Sequence, residues 1–142
     1  PWMEGDRESL EKVQRRAISM IFGLRSQQYE DKLRELGLCT LEERRHQLDM
    51  SQTFKILKGV DNVDKSTWFI PANEGQVRVT RMAADPLNVR QQASRLDIRR
   101  QFYSQRVVDG WNKVPTDIKN SETVNIFKMA YKKHRGDMEA TT

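Results

Sequence analysis

Along most of this chain apolar residues recur at intervals of three and four, the period of an α-helix that buries one face. Leu10, Val13, Ala17, Met20, Ile21 and Leu24 draw the first such stripe and predict a helix from about residue 6 or 9 to 22, with Gly23 at its end. Lys12, Arg15, Arg16 and Ser19 fall on the other side as a basic face, and Glu8 can pair with Lys12 one turn on. Tyr29, Leu33 and Leu36 predict a second, shorter helix that Gly37 terminates. Thr40, with a glutamate three residues later at Glu43, has the form of a capping box and opens a third helix. Its inner face runs through His46, Met50, Thr53, Phe54 and Leu57, and Gly59 stops it.

The pattern then changes. Residues 60–93 carry Pro71, Gly75 and Pro86 and no helical period. Asp64 is placed to cap one turn holding Trp68 and Phe69, and residues 76–81 and 87–92 alternate in the manner of a short β-hairpin. A lone hairpin is marginal in water, so this segment reads as an arm that orders on a partner. Tyr103, Val107, Trp111 and Val114 follow at i, i+4, i+8 and i+11 and predict a fourth helix over 97–113, ended near Pro115. Gly110 lies inside it, where glycine costs about 1 kcal/mol against alanine and points to a close approach. Val124, Phe127, Tyr131 and His134 predict a fifth helix over 123–134, with Trp111 as the anchor between the last two. The fold class is therefore mainly α: a small bundle of about five helices with an irregular arginine-rich middle and a short β-hairpin. Within one domain the order is N-terminal helices (1–59), arm (60–93), C-terminal helical pair (94–135) and a frayed tail (136–142).

Composition narrows the class. The 142 residues, 37% hydrophobic and 32% charged, fit one domain with a modest core. Cys39 is the only cysteine, which rules out an intrachain disulfide and a cysteine-based zinc site and suits a reducing compartment. No long apolar run predicts a membrane span, and the opening PWMEGDRES lacks the apolar centre of a secretion signal. The expectation is a soluble, intracellular chain of the nucleus or cytoplasm, and its start on Pro1 reads as a piece of a longer polypeptide.

Charge adds a candidate site. The formal net charge is +5, and residues 76–106 alone carry seven arginines, Arg78, Arg81, Arg90, Arg95, Arg99, Arg100 and Arg106, against Asp85 and Asp97, an excess equal to that of the whole chain. Every cation in the stretch is arginine, whose planar fork matches phosphate and stacks on flat rings; the bland alternative is that half of them solvate a loop or pair with carboxylates. Chemistry of other kinds finds little support. His46, His134 and Cys39 stand in no metal-ligand or nucleophile–base spacing, and the glycines are scattered rather than gathered into a phosphate loop. The carboxylates sit among basic residues, as in Glu30-Asp31-Lys32 and Glu42-Glu43-Arg44-Arg45, with no aspartate pair of the kind that holds two metals. The reading is no catalytic residue, no metal, no cofactor, no small-molecule substrate and no membrane.

The strings LEKVQRRA (10–17), YEDKLRELGL (29–38), LEERR (41–45) and SRLDIRRQFYSQRVVDGWNKVP (94–115), followed by a phenylalanine-bearing helix, resemble the carboxyl-terminal region of reverse transcriptases from non-LTR retrotransposons of the jockey-like and chicken-repeat-like LINE type. The likeness runs in one order from about residue 6 to 134. It implies a region downstream of the polymerase core, without the catalytic aspartates of the polymerase and without the endonuclease, whose partners would be RNA, DNA or their hybrid and the upstream reverse transcriptase domain. The positions that match best are Arg15 and Arg16, Arg44 and Arg45, and Arg95, Arg99, Arg106 and Trp111. Gly110, where a larger apolar residue is expected, and Cys39, where an aromatic or apolar one is common, depart from the pattern and suit a decayed or repurposed copy. The rival reading is a structural module that docks on the upstream domain through the first helix, which would leave Leu10, Val13, Ala17 and Ile21 uncovered in the isolated chain.

Overall fold

A computed structural model describes residues 4–21, 26–74, 85–93 and 95–140. The protein is mainly α-helical with one small two-stranded antiparallel hairpin, and the chain divides into two compact units, Pro1–His46 and Gln47–Thr142.

In the first unit α1 spans Glu4–Ser19 and α2 Tyr29–Glu35, and α3 (Leu41–Lys58) begins there. The end of α2 follows from one glycine. Gly37 takes a φ of 65°, which lets the Leu38 N–H reach the Leu33 carbonyl at 2.8 Å and the Gly37 N–H reach that of Arg34 at 3.1 Å. These two bonds satisfy carbonyls the helix leaves orphaned. At the start of α3 the Thr40 hydroxyl accepts the Glu43 N–H at 3.2 Å, the cap read from the sequence. The apolar stripe of α1 behaves otherwise. Ile18, which is not on it, is buried, whereas Leu10, Val13, Ala17, Met20 and Ile21 are exposed.

The second unit takes the rest of α3 and adds α4 (Lys65–Trp68), β1 (Ile70–Pro71), β2 (Val89–Arg90), α5 (Asp97–Arg100), α6 (Tyr103–Arg106), α7 (Val108–Asn112), α8 (Thr116–Lys119) and α9 (Val124–Ala140). Its core is aromatic. Phe127 stacks on Phe54 with ring centroids 4.5 Å apart and on Tyr131 at 5.8 Å, and Trp111 tilts against it at 5.9 Å. Met50, Ile56, Phe69, Val89, Val107, Val108 and Val114 close around these rings. Met50, Thr53 and Phe54 are fully buried as their spacing predicts, and Gly59, at φ 70°, ends α3 with the same pair of bonds as Gly37. Asp64 caps α4 as expected, accepting the Ser66 N–H at 2.9 Å. α9 outruns its expected end: it continues past His134 through Gly136 to Ala140, so residues 136–140 are helical.

Two expectations change in detail. The predicted fourth helix is broken into α5, α6 and α7, although its stripe survives, with Val107, Trp111 and Val114 buried and Tyr103 half-buried. The sharp break, between α5 and α6, lies at Phe102, whose backbone is extended at φ −60°, ψ 143°, whereas Val107 between α6 and α7 keeps helical angles of φ −80°, ψ −18°. Extended backwards without a break, the stripe from Tyr103 would pass through Arg99 or Arg100 and carry a guanidinium into the core, so the turn at 101–102 keeps both in water. The hairpin pairs Ile70 with Arg90 and Pro71 with Val89. Its second strand falls inside the predicted 87–92, and the predicted partner 76–81 lies outside the described residues.

Candidate nucleic-acid interface

The arginine-bearing strand β2 is fixed by side chains rather than by a wider sheet. The Asn112 side chain pairs with it like a neighbouring strand, its Oδ1 accepting the Val89 N–H at 3.0 Å and its Nδ2 donating to the Val89 carbonyl at 2.8 Å. Trp111 Nε1 donates to the Leu87 carbonyl at 2.7 Å, and Gln105 Oε1 accepts the Gln92 N–H at 3.1 Å. The string around Trp111 therefore binds the arm to the helices, satisfying backbone groups that two short strands leave open.

A buried charge completes this anchor. Lys119, 1% exposed, donates from Nζ to Asp85 Oδ2 at 3.1 Å and to Asn88 Oδ1 at 2.6 Å and lies 5.6 Å from the centre of the Trp111 ring. Asp85 also accepts the Leu87 N–H at 2.9 Å and the Thr116 hydroxyl at 2.9 Å. The pair titrates with opposite balances. Burial pushes the Asp85 carboxyl up, but its three donors outweigh that and hold it below the ordinary value; burial lowers Lys119 more than Asp85 raises it. The Asp85 oxygens receive three donors, whereas Lys119 bears the loss of water. Lys119, Asp85, Asn88, Asn112 and Gln105 carry no helical period that marks them as buried, so sequence patterning passes over them; the one local signal is that Asn112 follows Trp111.

On this support the predicted arginines separate. Arg90, Arg95, Arg99 and Arg100 are exposed. Arg90 touches the Glu74 carbonyl at 3.4 Å, and Arg100 meets Asp97 at 3.3 Å in an open pair of little energetic weight. No carboxylate holds Arg95 or Arg99 among the described residues. Arg106 is exposed as well but is tied to the fold, its Nε and Nη2 forming a fork with Asp49 at 3.0 and 2.9 Å and its Nη1 donating to the Gln101 carbonyl at 3.2 Å. The Asp49 bonds raise the Arg106 pKa further, and the guanidinium lies 5.7 Å from the centre of the Tyr103 ring. Burial pushes that phenol up to about 12, and its hydroxyl bonds Thr53 at 2.8 Å. Arg106 thus joins α6 to α3 within the unit. Arg78 and Arg81 lie outside the described residues.

The arginines of the first unit meet a different surrounding. Arg15 lies 4.7 Å over the Tyr29 ring. Arg15 and Arg45 line a cleft of about 510 Å³ that also holds Glu4, Glu8, Glu11, Glu30 and Glu42, so carboxylates compete there with any phosphate. Arg16 and Arg44 are exposed on α1 and α3. Cys39 is half-buried in the link before α3, its carbonyl accepting Gln14 Nε2 at 3.1 Å. Among the described residues no group of three or more His, Cys, Asp or Glu is placed to hold a metal ion, and no helix is long and apolar enough to cross a membrane. No protein-family model, curated protein or solved structure matches the chain.

Proposed function

We propose that the chain is a non-catalytic accessory region of a non-LTR retrotransposon reverse transcriptase, an intracellular protein, and that it binds the backbone of RNA or DNA through arginines. The observation that carries this reading is the set of exposed guanidiniums at Arg90, Arg95, Arg99 and Arg100; the strand that bears Arg90 is held at Leu87 and Val89 by Trp111 and Asn112, and the turn that follows Arg99 and Arg100 is held by the backbone bonds of Phe102. A fixed backbone lowers the ordering cost of binding, and arginine forks suit phosphate oxygens. The resemblance of residues 94–115 to the tail of such polymerases points the same way.

Salt titration tests the proposal. Four phosphate contacts give a slope of about −3 in log affinity against log salt for RNA or DNA of any sequence. Replacing Arg95, Arg99 and Arg100 with glutamine is expected to cut that slope by more than half. Affinity indifferent to salt, or unchanged in the triple variant, overturns it.

A second reading has its own observation. Leu10, Val13 and Ala17 are exposed on α1 and Ile21 just after it, the pattern of a helix that docks on the upstream polymerase domain. Co-expression with that domain, followed by exchange protection of α1, distinguishes the two.

A further inference from the structure

Residues 95–102 hold more than arginine. Leu96, Ile98 and Phe102 are 65%, 61% and 63% exposed, interleaved with Arg95, Arg99 and Arg100. The neighbouring aromatics are used internally: Tyr103 meets Trp68 and Phe69 edge-on at 6.1 and 6.0 Å and lies beside Arg106. Phe102 stands at the corner between α5 and α6, and that corner is held from both sides. Its N–H donates to the Arg99 carbonyl at 3.2 Å, and its carbonyl accepts the N–H groups of Gln105 and Arg106 at 2.9 and 3.0 Å. Arg106, locked to Asp49, donates to the Gln101 carbonyl directly before it.

We propose that this corner makes the surface selective for single-stranded nucleic acid, with Phe102 as a platform on which an unpaired base stacks while Arg95, Arg99 and Arg100 take the flanking phosphates. This deepens the backbone-binding reading above and rests on it. A duplex offers its phosphates to the arginines but keeps its base faces stacked inside, so an exposed phenyl ring gains little from it. A single strand offers both, and base–aromatic stacking contributes about 1–3 kcal/mol per base whatever the base. Leu96, Ile98 and Phe102 expose apolar surface in the same short segment as the three guanidiniums.

The test uses the full chain and fluorescent oligonucleotides of one length in separate arms: single-stranded RNA, single-stranded DNA and a duplex of each. The expected result is tighter binding to single strands, lost about tenfold in Phe102→Leu with the salt slope unchanged, and retained in Phe102→Trp. Duplex binding is expected to be equal in all three proteins. Circular dichroism and thermal unfolding establish that the variants fold; Phe102 is exposed, so both substitutions leave the core intact. Equal affinity for single strands and duplexes, or single-strand binding indifferent to Phe102→Leu, overturns the selectivity while leaving backbone binding standing. Absence of binding in every arm overturns backbone binding itself.

Discussion

The two units of this chain are built from similar helical patterns and held by different forces. In the second, apolar stripes on α3, α6, α7 and α9 converge on a ring stack around Phe127, and Lys119 and Asn112 enter the interior with partners. In the first the principal links are polar. Glu11 accepts the Tyr29 hydroxyl and, at 3.0 Å, the Leu41 N–H, while Gln14 reaches Tyr29 and the Cys39 carbonyl at 3.1 Å each. Among its described residues Ile18 and Leu33 are the buried apolar side chains, and Leu10, Val13 and Ala17 of the α1 stripe are exposed. An amphipathic period foretells a helix with a sticky face. It does not foretell that the same chain supplies the cover.

The sharpest break in the comparison is Trp111→Ala. It removes a fully buried ring and the bond that holds the Leu87 carbonyl, and should cost the second unit roughly 3–5 kcal/mol, a large part of a typical domain's stability. Exchange of amides in α3, α7 and α9 measures it, and protection of α2 in the first unit should be unaffected. Equal loss in both units would make them one cooperative body.

Lys119→Met comes next. Taking away one partner of a buried pair typically costs about 3–5 kcal/mol; Asp85 keeps the Leu87 N–H and the Thr116 hydroxyl, which places the loss near 3 kcal/mol in chemical unfolding. Acid gives the same information without mutation. Because the folded Asp85 carboxyl titrates below its ordinary 3.8, its contribution is present above that value and is lost as the pH falls through the lower, folded one. The Lys119→Met variant should lose part of that acid dependence, because Asp85 then no longer faces an ammonium.

What the sequence revealed follows this division. Periodicity finds a surface that is continuous along one helix, so Met50, Phe54, Val107, Trp111 and Phe127 were legible as core, as were the glycine stops at Gly37 and Gly59 and the caps at Thr40 and Asp64. Contacts between distant segments leave no period. Asn112 acting as a strand for Val89, and Lys119 reaching Asp85 from 34 residues away, could not be read in one dimension. Arg106 shows the limit for the candidate site: in sequence it is one more arginine of the basic stretch, and Asp49, 57 residues off, makes it a tie within the fold.

In the first unit Glu11→Ala should do what loss of a ring does in the second, on a smaller scale. A carboxylate that accepts two part-buried donors contributes on the order of 2 kcal/mol, and its removal leaves the Leu41 N–H at the start of α3 without its acceptor. Tyr29 reports the change. Burial first, and Glu11 second, raise its phenol above 10, so the stability this contributes is full below that value and is lost as the pH rises through the folded one. In the variant an alkaline absorbance titration should show Tyr29 ionising earlier, while Tyr103 in the second unit stays at about 12.

The smallest expected effect decides most about the first unit. Val13 is 66% exposed on α1, and Val13→Ser changes helix propensity little, so thermal unfolding of the isolated chain should move by less than about 0.5 kcal/mol. The equivalent loss of apolar volume at Val107, buried in the second unit, would be several times larger. A cost above about 1 kcal/mol at Val13 would mean that the stripe is covered in solution, by this chain or by another copy of it. Chain concentration separates the two, because only cover from another copy is lost on dilution. A neutral result in the isolated chain, joined to weakened association once the polymerase domain of the proposed reading is added, would support that reading's second form, in which the stripe is a docking face.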